Sequence, residues 1–515
     1  MRATTLLFGI ALAWIPWPAP AERLGFAQGI AAGEVTGSTA VLWTRAAPGA
    51  ILLLEIALDP GFRNVFYRAV PATAETDYTV KVLVDNLAPE TRYYYRFRAA
   101  GVVSPTGSFR TAPEVWRARP LRFAWSGDSD ATPGPDGVRP YDFRALDAAR
   151  AAQPDFFVYL GDTVYQDSPR RPRPAKTLEE YRAAYRISRE VPALGNLLAS
   201  TPIHAVWDDH EILNDFDGLA VEPARYAAGR RAFFDYLPVA GDPQPLRDPS
   251  CPGDPLFRRF QWGADAEILV LDTRTCRSAD VEASCRAPDG TADYGPTLPP
   301  AVRAGFGLPP EPPPGCLEAI RDPARTMLGP VQKQAFLRAL RDSRAAWKFV
   351  ISSVPIQELF ARPYDRWEGY AAERREILSF VRRQRIGGVV FLAADLHAQL
   401  ANDVFLDKFD GGAPVAAEFV TGPIGAPTFQ ESVLNSFGGA GLFALFALFR
   451  DIAEVRCMHL DARGYGLARI APAGEASIAL HDETGGVVMD QLDGSRACAF
   501  DLGARSEPAG LVSIQ

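Results

Sequence analysis

Histidine is scarce in this sequence, with five residues in 515. A basic excess is absent: Lys plus Arg total 54 against 62 Asp plus Glu, a net charge of −8. That balance leaves no footprint for binding nucleic acid. Cys-x-x-Cys does not occur, so the usual spacing of a cysteine zinc site is missing. The apolar run at 437–449 is thirteen residues long, too short to span a bilayer. No internal repeat is visible, which excludes solenoids and propellers. What remains is an ordinary globular composition, 47% hydrophobic and 23% charged. The length allows two or three domains with a large core.

The N-terminus reads as a Sec-type export signal over residues 1–21. Arg2 is a minimal positive region, Leu6–Trp14 is apolar, and Ala19-Pro20-Ala21 is a small-x-small cleavage pattern. No Arg-Arg pair precedes the apolar stretch and no Cys follows Ala21, so neither a twin-arginine route nor a lipoprotein is indicated. The expected location is therefore secreted or periplasmic. All six cysteines, Cys251, Cys276, Cys285, Cys316, Cys457 and Cys498, follow this segment. An even count in an exported chain predicts disulfides. The last two are placed to pair with each other, although six cysteines leave many pairings open.

Residues 26–113 read as a small all-β domain of fibronectin or immunoglobulin type, with runs such as DYTVKVLV and TRYYYRFRA between turn residues. From about residue 119 to 515 short apolar runs alternate with helical segments at 143–153, 176–200, 222–237, 331–345 and 371–385. Strands buried on both faces with helices between them predict a layered α/β domain. Residues 243–328, rich in Pro and Cys, read as a surface excursion pinned by disulfides. GYGLARIA and ASIALHD read as two closing strands.

Five apolar runs end the same way. Asp128 follows Phe123–Gly127, and Asp162 follows Val158–Gly161. Asp208-Asp209-His210-Glu211 follow Ala205–Trp207, Arg274 follows Leu269–Thr273, and Asp395 and His397 follow Val389–Leu392. Ligands bind at the carboxyl ends of strands in α/β sheets. Hydrolysis of a phosphate ester needs an activated water and neutralised oxygens, and two metal ions can provide both. An acidic protein handling phosphate also needs local positive charge, which bound cations supply.

The pieces differ in specificity. A lone Gly-Asp, such as Gly127-Asp128, is a common turn. Gly161-Asp162 is stronger because Tyr165 lies three residues on. The run from Trp207 to Asn214 is the most specific. It packs five ionisable or amide groups into eight residues after a strand, a poor arrangement for a core or a cap. In Asp395-Leu396-His397 the alternation of an extended segment puts both ligands on one face.

These motifs make the chain similar to the alkaline phosphatase D-like branch of the calcineurin-like metallophosphoesterases. The resemblance covers nearly all of the sequence beyond the expected export signal. Phe26–Gly33 with Ala40–Arg45 resembles the opening of that family's β domain. Asp162 with Tyr165, Trp207–Glu211 with Asn214-Asp215, and Leu271–Arg274 also match. So do Met327–Gln332, Asp365–Tyr370 with Glu373–Arg375, and Asp395–His397. The resemblance implies a layered β-sandwich core flanked by helices and a binuclear site. Ferric iron would be held partly by Tyr165, with calcium or another divalent ion beside it. Asp162 would bridge. Asp128, Tyr165 and His397 would lie near one metal, and Asp209, Asn214 and Asp395 near the other, with either Asp209 or Asn214 as the coordinating residue. His210 would contact phosphate and assist the leaving oxygen. Arg274 would be a phosphate contact or, equally, a salt bridge holding a loop.

Two departures stand out: Asp128 occupies a position where many relatives carry Cys, and Ala394 replaces a Gly. Asp is a harder ligand than a thiolate. The expected activity is hydrolysis of small phosphate monoesters or diesters by metal-activated water. A phospholipase D-like hydrolase is the alternative, with residues 437–449 as an interfacial or lipid-chain contact. A non-catalytic surface-binding protein is the third reading. An intact ligand set argues against it.

Overall fold

The computed structural model describes residues 25–240, 246–410, 412–437, 442–472, 474–502 and 511–513. The expected export signal at 1–21 lies outside them. The N-terminal strands are β1 (Ile30–Gly33), β2 (Ala40–Arg45), β3 (Ile51–Ala57), β4 (Val65–Pro71), β5 (Thr79–Val84), β6 (Arg92–Ala99), β7 (Val102–Val103) and β8 (Gly107–Arg110). Next come β9 (Leu121–Ser126), β10 (Phe156–Leu160), β11 (Ile203–Val206), β12 (Arg258–Trp262), β13 (Ala266–Val270), β14 (Trp347–Ile351) and β15 (Val389–Ala393). The last are β16 (Gln399–Val404), β17 (Ala416–Val420), β18 (Cys457–His459), β19 (Gly464–Ile470), β20 (Ala476–Asp482), β21 (Ala499–Leu502) and β22 (Leu511–Ser513).

One sheet runs β22-β21-β20-β19-β9-β10-β11-β1-β2-β5, and a second runs β12-β13-β14-β15-β17-β16-β18. β9, β10 and β11 are mutually parallel, as are β13, β14, β15 and β17. The two sheets stack face to face. Phe123 of β9 meets Phe349 of β14 edge-on with ring centroids 4.8 Å apart. Both belong to a buried cluster with Phe156, Val158, Ile351, Val390 and Leu392. Helices cover the outer faces. Leu146, Leu197 and Phe233, from Arg144–Ala151, Pro192–Ser200 and Pro223–Tyr236, join that first cluster. Phe336 and Leu340 of Pro330–Asp342, with Ile377 and Val381 of Ala371–Gln384, pack on Leu269, Val350 and Phe391. β10 and β15 are buried at every residue, which is why these strands are apolar runs without alternation. The fold is the expected layered α/β sandwich.

Three expectations are refined. The helical stretch 176–200 is two helices, because Pro192 begins a new one after Leu178–Ser188 and proline lacks the N–H to continue the first. The span 243–328 is not one excursion. It contains the β12–β13 hairpin, which edges the second sheet. Loop chain with short helices at Pro300–Gly305 and Cys316–Ile320 surrounds it, tied by Cys251–Cys276 and Cys285–Cys316. Cys457 pairs with Cys498 as expected. The segment 437–449 contributes to helix Leu442–Ala453, where Phe449, Ile452 and Ala453 pack on Leu400, Val420 and Met458. Among the described residues no helix is long and apolar enough to cross a membrane.

The N-terminal β unit is joined to the main sheet by hydrogen bonds. β1, β2 and β5 extend the ten-stranded sheet, while β3, β4, β6, β7 and β8 form a separate sheet. Leu42 and Val82 from the first pack on Leu54, Tyr95 and Phe97 of the second. The junction is Gly33 opposite Ile203, reinforced by Glu34 N–H donating to the Ile203 carbonyl at 3.0 Å. A Cβ on Gly33 would lie 2.4 Å from the Pro238 carbonyl oxygen, and a backbone atom cannot swing aside. Gly33→Ala is therefore expected to cost about 1–3 kcal/mol, read as a lowered thermal midpoint.

Candidate metal centre

The parallel strands of both sheets deliver their carboxyl ends to one place. Four residues there leave the strands through left-handed backbone: Asp128 (φ 63°), Asp162 (φ 48°), Asp395 (φ 66°) and His397 (φ 54°). This conformation is costly without glycine and collects at functional sites. It turns each side chain sharply off its strand. Three groups of ligand atoms result, each with members within 4.8 Å of one another: Asp128, Asp162 and His397; Asp162, Asp209 and His210; Asp209, Asp215 and Asp365. Asp162 is common to the first two groups. The Tyr165 hydroxyl lies 2.9 Å from His397 Nε2, beside the first.

Asp128 Oδ1 accepts the Asp395 N–H at 3.2 Å. Its Oδ2 is buried and has no hydrogen-bond partner among the described residues. The backbone of Gly422 closes over that oxygen, and a Cβ there would fall 2.1 Å from it. Burial, and then the charge of Asp208, pushes the Asp128 carboxyl well above the usual range. Burial, and then Asp209 and Asp208, does the same to Asp162. A crowd of buried carboxylates with a spare oxygen is a donor set that fits cations. Burial lowers His397 to about 4, so its ring is neutral, as a metal ligand requires. Its Nδ1 is 2.6 Å from the Pro427 carbonyl, which fixes the ring and leaves Nε2 toward Tyr165.

His210 is held differently. Burial opposes its charge, but Asp209 and Asp167 raise it to about 10. Its Nδ1 is 2.6 Å from Asp167 Oδ1, its Nε2 faces Asp162 Oδ2 at 4.0 Å, and its ring stacks on Tyr165 at 4.0 Å. Asp167 was not singled out from the sequence. It lies two residues beyond Tyr165, and only the contact with His210 marks it. Asp167 Oδ2 also accepts the Asn214 N–H at 2.6 Å.

Two sequence-based candidates sit elsewhere. The Asn214 side chain is exposed and donates to Asp215 Oδ2 at 2.8 Å, while Asp215 and Asp365 stand beside Asp209 in its place. Arg274 is fully buried, at 0% exposure. Its Nε donates to Asp208 at 2.6 Å, and its two Nη atoms grip Asp365 at 2.8 Å each. This is the loop-holding salt bridge and not an open phosphate contact. Asp395 meets the cluster through its backbone N–H on Asp128.

Glu211 carries the local architecture. Its buried carboxylate accepts the N–H groups of Asp162 (3.2 Å), Thr163 (2.7 Å) and Asp208 (2.9 Å), and the Thr163 hydroxyl (2.6 Å). It binds the loop after β10 to the loop after β11.

The comparisons with known proteins bear on this cluster. A family model described as PhoD-like phosphatase matches residues 136–476, and a model of that family's N-terminal domain matches residues 11–113. The chain belongs to the PhoD-like phosphatase family. It is 28% identical to alkaline phosphatase D of Bacillus subtilis (strain 168) over 444 residues, 77% of this chain and 68% of that protein. A solved structure of PhoD superposes with a TM-score of 0.76 at 22% identity, covering 96% of this chain and 94% of that one. Purple acid phosphatase PPD1 from yellow lupin shares the fold with a TM-score of 0.56 at 10% identity, over 90% of this chain and 72% of that one. The protein is thus a metal-dependent phosphoesterase, which removes the non-catalytic reading.

For this PhoD-like phosphatase, Glu211→Ala is expected to strand the Asp162, Thr163 and Asp208 donors. The cost is about 2–4 kcal/mol, and bound metal should fall in parallel, read by thermal melting and elemental analysis. Unchanged metal content would rule out a positioning role for Glu211.

Proposed function

We propose that the protein is an exported phosphomonoesterase or phosphodiesterase acting at a two-metal site bridged by Asp162. The observation that carries this reading is the sharing of Asp162 between two adjoining ligand groups, next to the unpartnered Asp128 Oδ2. Asp128, Tyr165 and His397 would hold ferric iron, the hard cation that a phenolate favours. Asp209 and Asp395 would serve calcium or another divalent ion. Asn214 is left out because its side chain is exposed and turned onto Asp215. Two cations, when bound, supply positive charge for the phosphate oxygens and the attacking water.

The protein's own groups do the rest. Asp167 holds the His210 ring so that Nε2 faces the space beside Asp162. The water oxygen bonds to phosphorus as the ester P–O bond breaks. The leaving oxygen takes the His210 Nε2 proton, and the proton lost by the water restores the imidazolium. Arg274 acts from behind by fixing Asp208. Three disulfides support an oxidising, secreted or periplasmic location. The same reading keeps residues 26–113 as the β unit and 119–515 as the catalytic unit. For the phospholipase D-like alternative, Phe449 of the 437–449 stretch packs inward, and most of the other side chains of that stretch lie outside the described residues.

Chelation is expected to abolish hydrolysis of an aryl phosphate and of a bis-aryl phosphate. Asp162→Ala should lower kcat by about a thousandfold. Activity surviving both would sink the metal mechanism. Separately, the iron-loaded protein should show a visible tyrosinate charge-transfer band that Tyr165→Phe removes. A band that persists in Tyr165→Phe would take iron off this residue. Choline release from vesicles outpacing hydrolysis of soluble esters would favour the lipid alternative.

A further inference from the structure

A cavity of about 870 Å³ opens beside the metal centre, and among its walls are Tyr141, Arg170, Ile424, Pro427 and Arg463. Two of its sides are tied to that centre through Pro427 and Arg170. Pro427 is the residue whose carbonyl meets His397 Nδ1. Arg170 sits on the segment that carries Asp162, Tyr165 and Asp167. A phosphorus atom beside Asp162 would therefore have the rest of its molecule directed along these loops.

The cavity wall carries both signs of charge, with Asp142, Glu431 and Glu483 beside its arginines. The guanidinium groups of Arg170 and Arg463 lie over the Tyr141 ring, 5.2 and 4.9 Å from its centroid. Both arginines are anchored but not saturated. Arg170 Nη1 donates to buried Asp130 at 2.5 Å. Arg463 donates from Nε to the Ala426 carbonyl at 3.1 Å and from Nη2 to Glu431 at 2.5 Å. Among the described residues nothing accepts from Arg170 Nη2 or Arg463 Nη1. The two side chains are 19% and 21% exposed. Arg144, on the same cavity, is 67% exposed and paired with Asp142, so it is a solvated rim charge. Preset, half-buried guanidinium groups with donors to spare favour an anion, because little entropy is lost in using them.

We propose that this cavity is the leaving-group subsite of the metal centre. It selects phosphate esters whose leaving group carries a second anionic group, which Arg170 and Arg463 hold beside the Tyr141 ring. The proposal rests on the phosphoesterase reading above and adds the substrate class.

The test uses full-length, metal-loaded protein and two matched esters, carboxyphenyl phosphate and its neutral carboxamide counterpart. The wild type is expected to favour the carboxylate in kcat/KM by about tenfold, chiefly through KM. The preference should collapse toward unity in Arg463→Gln and survive in part in Arg463→Lys. Tyr141→Leu should also reduce it, which keeps the test valid if Arg463→Gln fails to fold. Equal kcat/KM for the two esters in the wild type would overturn the subsite, as would a preference untouched in Arg463→Gln. Failure of the metal-loaded wild type to hydrolyse either ester would overturn the phosphoesterase reading and the subsite with it. A normal carboxamide rate without preference overturns the subsite alone.

Discussion

Four hydrogen bonds converge on the Glu211 carboxylate, and the active-site region depends on them. The loops after β10 and β11 each carry acids aimed at one small volume, and acids so placed repel one another. Hydrophobic packing of the strands brings the loop starts together but cannot hold the loop tips against that repulsion. A buried carboxylate that accepts backbone N–H groups from both loops can. Breaking it would leave several buried donors unpaired at once, which costs more than the net value of any one hydrogen bond.

Buried arginines complement this arrangement from behind. Arg274 grips Asp208 and Asp365, and Arg277 pairs with Asp217 and Asp365. These residues come from the loops after β11 and β13 and from the segment before helix Ala371–Gln384, so the pairs join the two sheets at the site. Positive charge is thereby fixed behind the cluster, while Asp128, Asp162 and Asp209 crowd its front. The same economy shows at the cavity, where Arg170 and Arg463 are each held by one acid and keep a donor in reserve.

Legibility in the sequence followed the length scale of each feature. The strands were readable because parallel strands buried on both faces must be apolar at every position. The strand-end acids were readable because they follow such runs directly. Asp167 was harder. Nothing in its neighbourhood distinguishes it from a solvated loop acid until His210, 43 residues on, is seen against it. Arg274 stayed open between a phosphate contact and a loop-holding salt bridge for the same reason. Its residue type suited either role, and only its complete burial between Asp208 and Asp365 separates them. The Asn214-Asp215 pair was not separable by residue type, because only the fold shows the Asn214 amide turned onto Asp215 and Asp215 beside Asp209 and Asp365.

By itself the sequence determined the alternation of buried strands and covering helices, the all-β character of the N-terminal region, the chemistry class, and the placing of acids at strand ends. These are local properties, written in periodicity and in motifs of a few residues. Only the tertiary structure decided which acids share a cation-sized space and which arginines are committed to ion pairs. It alone showed that the N-terminal β unit continues the catalytic sheet through Gly33 and Ile203. Those facts depend on distances between chain segments tens to hundreds of residues apart. Such distances are set by the packing of whole sheets, which no short stretch of sequence encodes.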